Sequence, residues 1–182
     1  MVRQGSKWST ALLVAVLFIS FFLLGGGLFF YANSLTQWWV PTLAAAMVAL
    51  GTAPMLVRKW ERLTDVKYWI VNFLCHIFVV GSITFFAFLG INYWGADKSS
   101  DVTEKAEIVG KYTKSHTRYR RVSRNRRVPD GEYHTYHLML RFSDGRQKEI
   151  ELPFSSYRPA KIGGYRELHV QNGLLGIKVI KR

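Results

Sequence analysis

The sequence predicts a membrane α-plus-β chain, with three transmembrane helices followed by a small antiparallel β barrel or sandwich domain. Three observations predict it. Residues 1–96 contain uninterrupted apolar stretches at 11–32, 40–57 and 68–94. That half carries only eight charged side chains (Arg3, Lys7, Arg58, Lys59, Glu61, Arg62, Asp65 and Lys67), and residues 97–182 hold the other 19 Lys/Arg and 10 Asp/Glu, +9 of the net +13. From Ala106 onward the apolar period changes to two, the period of a strand. The chain therefore divides into a three-helix domain over 1–96, a linker over 97–105 and a basic β domain over 106–182.

A helix needs about 20 apolar residues to cross a bilayer, with roughly 17 to 25 tolerated. The stretch 11–32 fits. The stretch 40–57 is near the lower limit and contains Pro41, Gly51 and Pro54. The stretch 68–94 is longer than required and must tilt or project. Trp38, Trp39, Trp60, Tyr68, Trp69, Tyr93 and Trp94 mark the interfaces as an aromatic belt does. A soluble bundle is excluded, because the chain has too few polar helices to wrap three all-round hydrophobic ones. A cleaved signal peptide also fits poorly: its apolar region would be too long, and Tyr31-Ala32-Asn33 is a poor cleavage site.

Orientation follows from the short loops. The N-terminal segment carries Arg3 and Lys7, and loop 58–67 carries Arg58, Lys59, Arg62 and Lys67, whereas loop 33–39 has no charge. The positive-inside rule puts the first two in the cytoplasm and, after three spans, the C-terminal domain outside. The expected location is a bacterial inner membrane with a periplasmic or otherwise extracytoplasmic β domain.

Within the spans, Ala45, Ala49 and Ala53 form a smooth face suited to helix packing inside the bundle or in a homo-oligomer. Gly25-Gly26-Gly27 is a packing feature of the same kind. Asn72 and His76, four apart, share one face of the third helix. Intramembrane ionisable groups are often functional, but no Asp, Glu, Lys or Arg accompanies these two, and interhelical hydrogen bonding is the preferred reading. Cys75 is the single cysteine, so no intrachain disulfide and no cysteine-based metal site can form.

In the second half, residues 133–142 alternate, with Tyr136, Leu138, Leu140 and Phe142 on one side. Ser143-Asp144-Gly145 is a turn, and 147–152 follows with Ile150 and Leu152 inward, completing a hairpin. Residues 107–113 and 117–123 read as two earlier strands. Residues 166–171 form another, with Leu168 and Val170 inward. Asn172-Gly173 then turns the chain into 176–181, with Ile177 and Val179. Residues 153–164 connect, with at most one helical turn.

Taken together, 136–142, Asp144-Gly145, Ile162-Gly163-Gly164 and 173–180 give a layout that resembles a loose group of small bacterial membrane proteins of unknown function. In these, transmembrane helices precede a β-rich tail with a strand–Asp-Gly–strand hairpin and a later glycine-led strand. The resemblance implies a barrel-like tail and no known activity, and the extended arginine segment departs from the pattern.

That segment is the densest feature of the chain. Arg118, Arg120, Arg121, Arg124, Arg126 and Arg127 crowd into ten residues together with Tyr119. Guanidinium groups suit carboxylates and phosphates, and a run of like charges favours an acidic counterpart. Pro129-Asp130-Gly131 reads as the turn that ends a projecting hairpin. The partners in order are an acidic protein or membrane-complex subunit, membrane lipid head groups and, last, nucleic acid. His134 and His137 are three apart, so on a strand they face opposite sides and cannot grip one ion. No nucleophile–base or paired-carboxylate arrangement is evident.

The sequence reading is a non-enzymatic protein without cofactor or metal whose β domain binds a macromolecule. One concrete version is an immunity protein against an envelope-acting toxin; another is an accessory subunit of a membrane complex. The rivals are a small transporter or channel component using Asn72 and His76, and an anionic-lipid-surface sensor.

Overall fold

The computed structural model describes residues 7–181, with side chains from Thr10 onward. Arg3 and the side chain of Lys7, which contribute to the orientation argument, lie outside the described residues, as does Arg182. Three helices, α1 (Lys7–Ala32), α2 (Trp39–Thr64) and α3 (Trp69–Trp94), have 26 residues each. At about 1.5 Å per residue each is roughly 39 Å long. All three are long and apolar enough to cross a membrane.

The second helix, read from hydropathy as the shortest span, outlasts its apolar run. Arg58, Lys59, Glu61 and Arg62 are good helix formers, so the helix continues past them. Pro41 falls in the first turn, where its missing N–H has no intrahelical partner to lose. Asp65 ends the helix in the left-handed region (φ 55°), and its N–H bonds back to the Glu61 carbonyl.

Ala45, Ala49 and Ala53 are all buried. His76 of α3 reaches the Ala49 carbonyl at 3.0 Å, so this face is spent inside one bundle. Two glycines of the triplet do similar work for α1: a Cβ on Gly26 would lie 2.8 Å from Phe86 Cε2 and one on Gly27 2.5 Å from Phe85 Cδ1 of α3, while Gly25 faces open space. Elsewhere the helices present Phe18, Phe21, Met47, Met55 and Leu74 outward, the surface expected of helices in lipid.

Contacts divide the chain into two units, and the helical one also contains 171–181. The sequence pattern places all of 106–182 in the β domain, whereas 171–181 is held by the helices. Leu35 N–H donates to the Lys178 carbonyl (2.8 Å), Ile180 N–H donates to the Asn33 carbonyl (2.7 Å), and Ser34 bridges Val179. From α3, Asn92 bonds to the same segment. Lys181 Nζ donates to the Tyr93 carbonyl and stands 3.5 Å over its ring. Burial, and then the charge of Lys98, lower the Lys181 pKa. The ends of α1 and α3 thus meet at one end of this unit, as three antiparallel crossings require.

The other unit is 102–170. Its strands are β1 (Val102–Ser123), β2 (Arg126–Arg141), β3 (Gln147–Leu152) and β4 (Tyr165–Asn172), with a helical turn α4 (Phe154–Tyr157). With β5 (Lys178–Ile180) they make one antiparallel sheet in the order β3-β2-β1-β4-β5. Two stacked sheets, the sandwich alternative, do not occur among the described residues. The linker is shorter than expected: a 3-10 turn at Lys98–Ser100, capped by Asp97, leads directly into β1. Hydrogen bonds from the Ser99 hydroxyl and then its backbone N–H hold the Asp97 carboxyl below its ordinary pKa.

The alternation from Tyr136 to Phe142 holds, with Leu138, Leu140 and Phe142 buried beside Ala106, Ile108, Ile150 and Val170. The β2–β3 hairpin turns through Gly145 at φ 81°. Two expectations change. Residues 107–113 and 117–123 belong to one continuous strand. Pro129-Asp130-Gly131 is no hairpin end but lies inside β2, where Thr117↔Glu132 is followed by Tyr119↔Pro129. One extra residue on β2 makes this a β-bulge, and Gly131 at φ 88° supplies the backbone it needs.

Lys148 on β3 is half-buried, and desolvation pushes its pKa down from 10.5 to about 8. Below about 8 the native state holds a poorly solvated charge; above 10.5 neither state does. The β unit is therefore expected to gain stability as pH rises through that window. Lys114, whose pKa Glu149 raises, loses its contribution only above it. Denaturant titrations at several pH values should show the rise, and Lys148→Met should flatten it.

Candidate binding surface on the arginine ribbon

Strand β4 covers β1 only from Val102 to Glu107, and β3 covers β2 only from Tyr136 to Arg141. Beyond those limits β1 and β2 continue as a two-stranded ribbon, from Lys114↔Thr135 to Ser123↔Arg126. Ten residues of β1 at about 3.4 Å each give it a reach of roughly 34 Å. Arg124 and Asn125 form its turn.

All six arginines of the cluster are on this ribbon and all are exposed, together with Tyr119 and Val122. The pairing puts Arg121 directly opposite Arg127 and Arg120 opposite Val128. Directly opposed residues share a face, so the first pair sets two like charges side by side. Among the described residues none of the six is in an ion pair. Arg121 donates to the carbonyls of Ser123 (3.1 Å) and Arg124 (2.6 Å), which stiffens the turn without neutralising charge.

The root of the ribbon is a polar cluster that sequence spacing did not disclose. Glu149 of β3 takes Lys114 Nζ at 3.0 Å and His137 Nδ1 at 2.8 Å. Tyr112 stacks on His137, with ring centroids 5.3 Å apart. A hydrogen bond from Tyr112 and then one from Lys114 lower the Glu149 pKa, and the same bond raises that of Tyr112. Cross-strand neighbours bring these groups together, and only the register relates them. His134 bonds instead to Ser115 Oγ (2.9 Å). The two histidines thus have separate partners, and no group of three or more His, Cys, Asp or Glu able to hold a metal ion occurs among the described residues.

Asn72 and His76 are both buried; His76 bonds to groups of α2, and Asn72 to Thr64 at the end of α2 and to Val66 just after it. Trp60 Nε1–H donates to His76 Nδ1 (3.2 Å), so the ring proton is on Nε2, which donates to the Ala49 carbonyl (3.0 Å). Thr52 Oγ1 is 3.1 Å from the same nitrogen. Asn72 donates to the Val66 carbonyl (2.8 Å) and accepts from the Thr64 hydroxyl (2.6 Å). The structure brings these two residues together in one interhelical network and keeps the arginines together in another place.

Comparison with protein-family models, with curated proteins and with solved structures yields no match, so the functional reading rests on this chain's own geometry.

Proposed function

We propose that this is a non-enzymatic, membrane-anchored binding protein whose arginine ribbon engages an acidic macromolecular partner. The observation that carries the reading is the uncompensated charge. Six guanidinium groups occupy ten residues of an exposed ribbon without an ion pair among the described residues, and Arg121 opposes Arg127 directly. Like charges across a ribbon destabilise it, and carboxylates offered by a partner relieve that cost through charge-assisted bonds.

Orientation is part of the proposal. Arg58, Lys59 and Arg62 in the last turns of α2, with Lys67 just after it, lie at the α2–α3 end of the helical unit, away from the α1–α2 loop that holds 178–180. The positive-inside rule assigns the basic end to the cytoplasm of a bacterial cell. The chain then leaves and re-enters the helical unit on the periplasmic side. In this reading the sheet closes toward a barrel-like body around Leu138, Leu140 and Ile150 that gives the ribbon a rigid base. An immunity protein against an envelope toxin and an accessory subunit of a membrane complex both fit.

The test uses full-length protein in detergent as bait for solubilised native membranes. Reversing Arg120, Arg121, Arg124 and Arg126 to glutamate is expected to weaken capture about tenfold or more. Asn72→Ala and His76→Ala should leave it unchanged. The opposite pattern would favour transport through the helices and end the binding reading. Equal recovery on anionic vesicles, with no protein captured, would replace the partner by a lipid surface.

A further inference from the structure

The ribbon has an open edge as well as a charge. Ile108 N–H donates to the Gly164 carbonyl (2.8 Å), and Gly163 N–H donates to the Ile108 carbonyl (2.9 Å). The backbone of Ile108 therefore faces away from β2. Hydrogen-bonding direction alternates along an antiparallel strand. Counting on through the bulge between Ile108 and Gly110, the residues whose N–H and C=O face the same way are Lys111, Thr113, Ser115, Thr117, Tyr119 and Arg121.

Lys111 is shielded, since its side chain spans to the carbonyls of Arg158 and Ala160. From Thr113 to Arg121 no strand covers that side among the described residues, because β4 stops at Glu107. The matching edge of β2 is blunted. Alternation turns the nitrogen of Pro129 outward, where it has no hydrogen to donate, and the Gly131 bulge breaks the line of β2 just beyond. The ribbon thus has one usable edge.

Resting on the binding reading above, we infer that the acidic partner contributes an extended segment that pairs as an additional strand along β1 between Thr113 and Arg121. Backbone pairing of this kind supplies affinity while side chains supply selection. Selection here is by charge. Arg118 and Arg120 lie on one face of the ribbon and Arg121 and Arg127 on the other, so acidic residues at either parity of an added strand meet a guanidinium. The same charges exclude a second copy of this chain, whose ribbon is equally basic. An unprotected edge ordinarily invites self-association; arginines close it to copies of itself and leave it open to acid.

The experiment uses the full-length protein in detergent micelles and two ten-residue probes. One is an alternating Glu-Thr peptide; the other is the same peptide N-methylated at every backbone amide, with equal charge. The first is expected to bind, to slow hydrogen exchange at the amides of Thr113, Ser115 and Thr117, and to be about tenfold or more tighter than the second. Thr117→Pro, which removes one outward N–H where proline is tolerated, should weaken the first probe alone. Equal binding of both probes without amide protection would overturn the strand pairing and leave the acidic-partner reading standing. Failure of both probes to bind at low salt would overturn the strand pairing and the acidic-partner reading together.

Discussion

Replacing Asn92 with leucine is expected to release residues 171–181 and to lower the stability of the helical unit by about 2–4 kcal/mol. Asn92 is fully buried. Its Oδ1 accepts the Leu175 N–H at 3.0 Å, its Nδ2 donates to the Ile177 carbonyl at 2.9 Å, and its own carbonyl takes the Leu174 N–H. Leucine fills nearly the same volume but offers nothing to the Leu175 N–H, and an unpaired buried donor carries most of the cost. Any side chain at Gly173 would overlap the Asn92 amide, so Gly173→Val should release the same segment from the other side. Limited proteolysis and amide exchange across 171–181 report the release directly. An Asn92→Leu protein with wild-type protection there would show that the amide is dispensable.

His76→Leu is expected to loosen α3 from α2 and to lower the unfolding temperature in detergent, without changing partner capture in the cold. The substitution strands the Trp60 indole N–H and removes the link to Ala49. Hydrogen bonds between membrane helices contribute about 0.6 to 2 kcal/mol each, so the two together account for roughly 1–4 kcal/mol. Glutamine, which can accept from Trp60 and donate to Ala49, should recover part of the loss. Capture that fell with His76→Leu but not with arginine reversal would move the functional site into the bundle.

The three helices were legible because an apolar run such as 11–32 is as long as a helix needs to be to cross a bilayer. Hydropathy measures the bilayer and not the helix, so it stopped at Val57 while α2 continued through Arg58 to Thr64. The β2–β3 hairpin was legible because Leu138, Leu140 and Ile150 share one buried face. The ribbon was legible only as charge. With both faces in water it carries no apolar alternation, so β1 read as two strands, and Pro129-Asp130-Gly131, whose composition suits turns and bulges alike, read as its end. Asn92 carried no signal at all, since beside Tyr93 and Trp94 an asparagine looks like an ordinary interfacial residue. Only the returning segment gives it a partner, and that pairing spans more than eighty positions of chain.

The helical unit is discontinuous in sequence, and this orders its assembly. Synthesis delivers α3 well before the segment that satisfies Asn92, with the whole of 102–170 made in between. Until that segment arrives, the Asn92 amide and the Asn33 carbonyl lack the bonds it gives them in the finished fold. A chain that ends anywhere inside the β unit therefore lacks the segment to which the Asn92 amide and the Asn33 carbonyl bond in the finished fold.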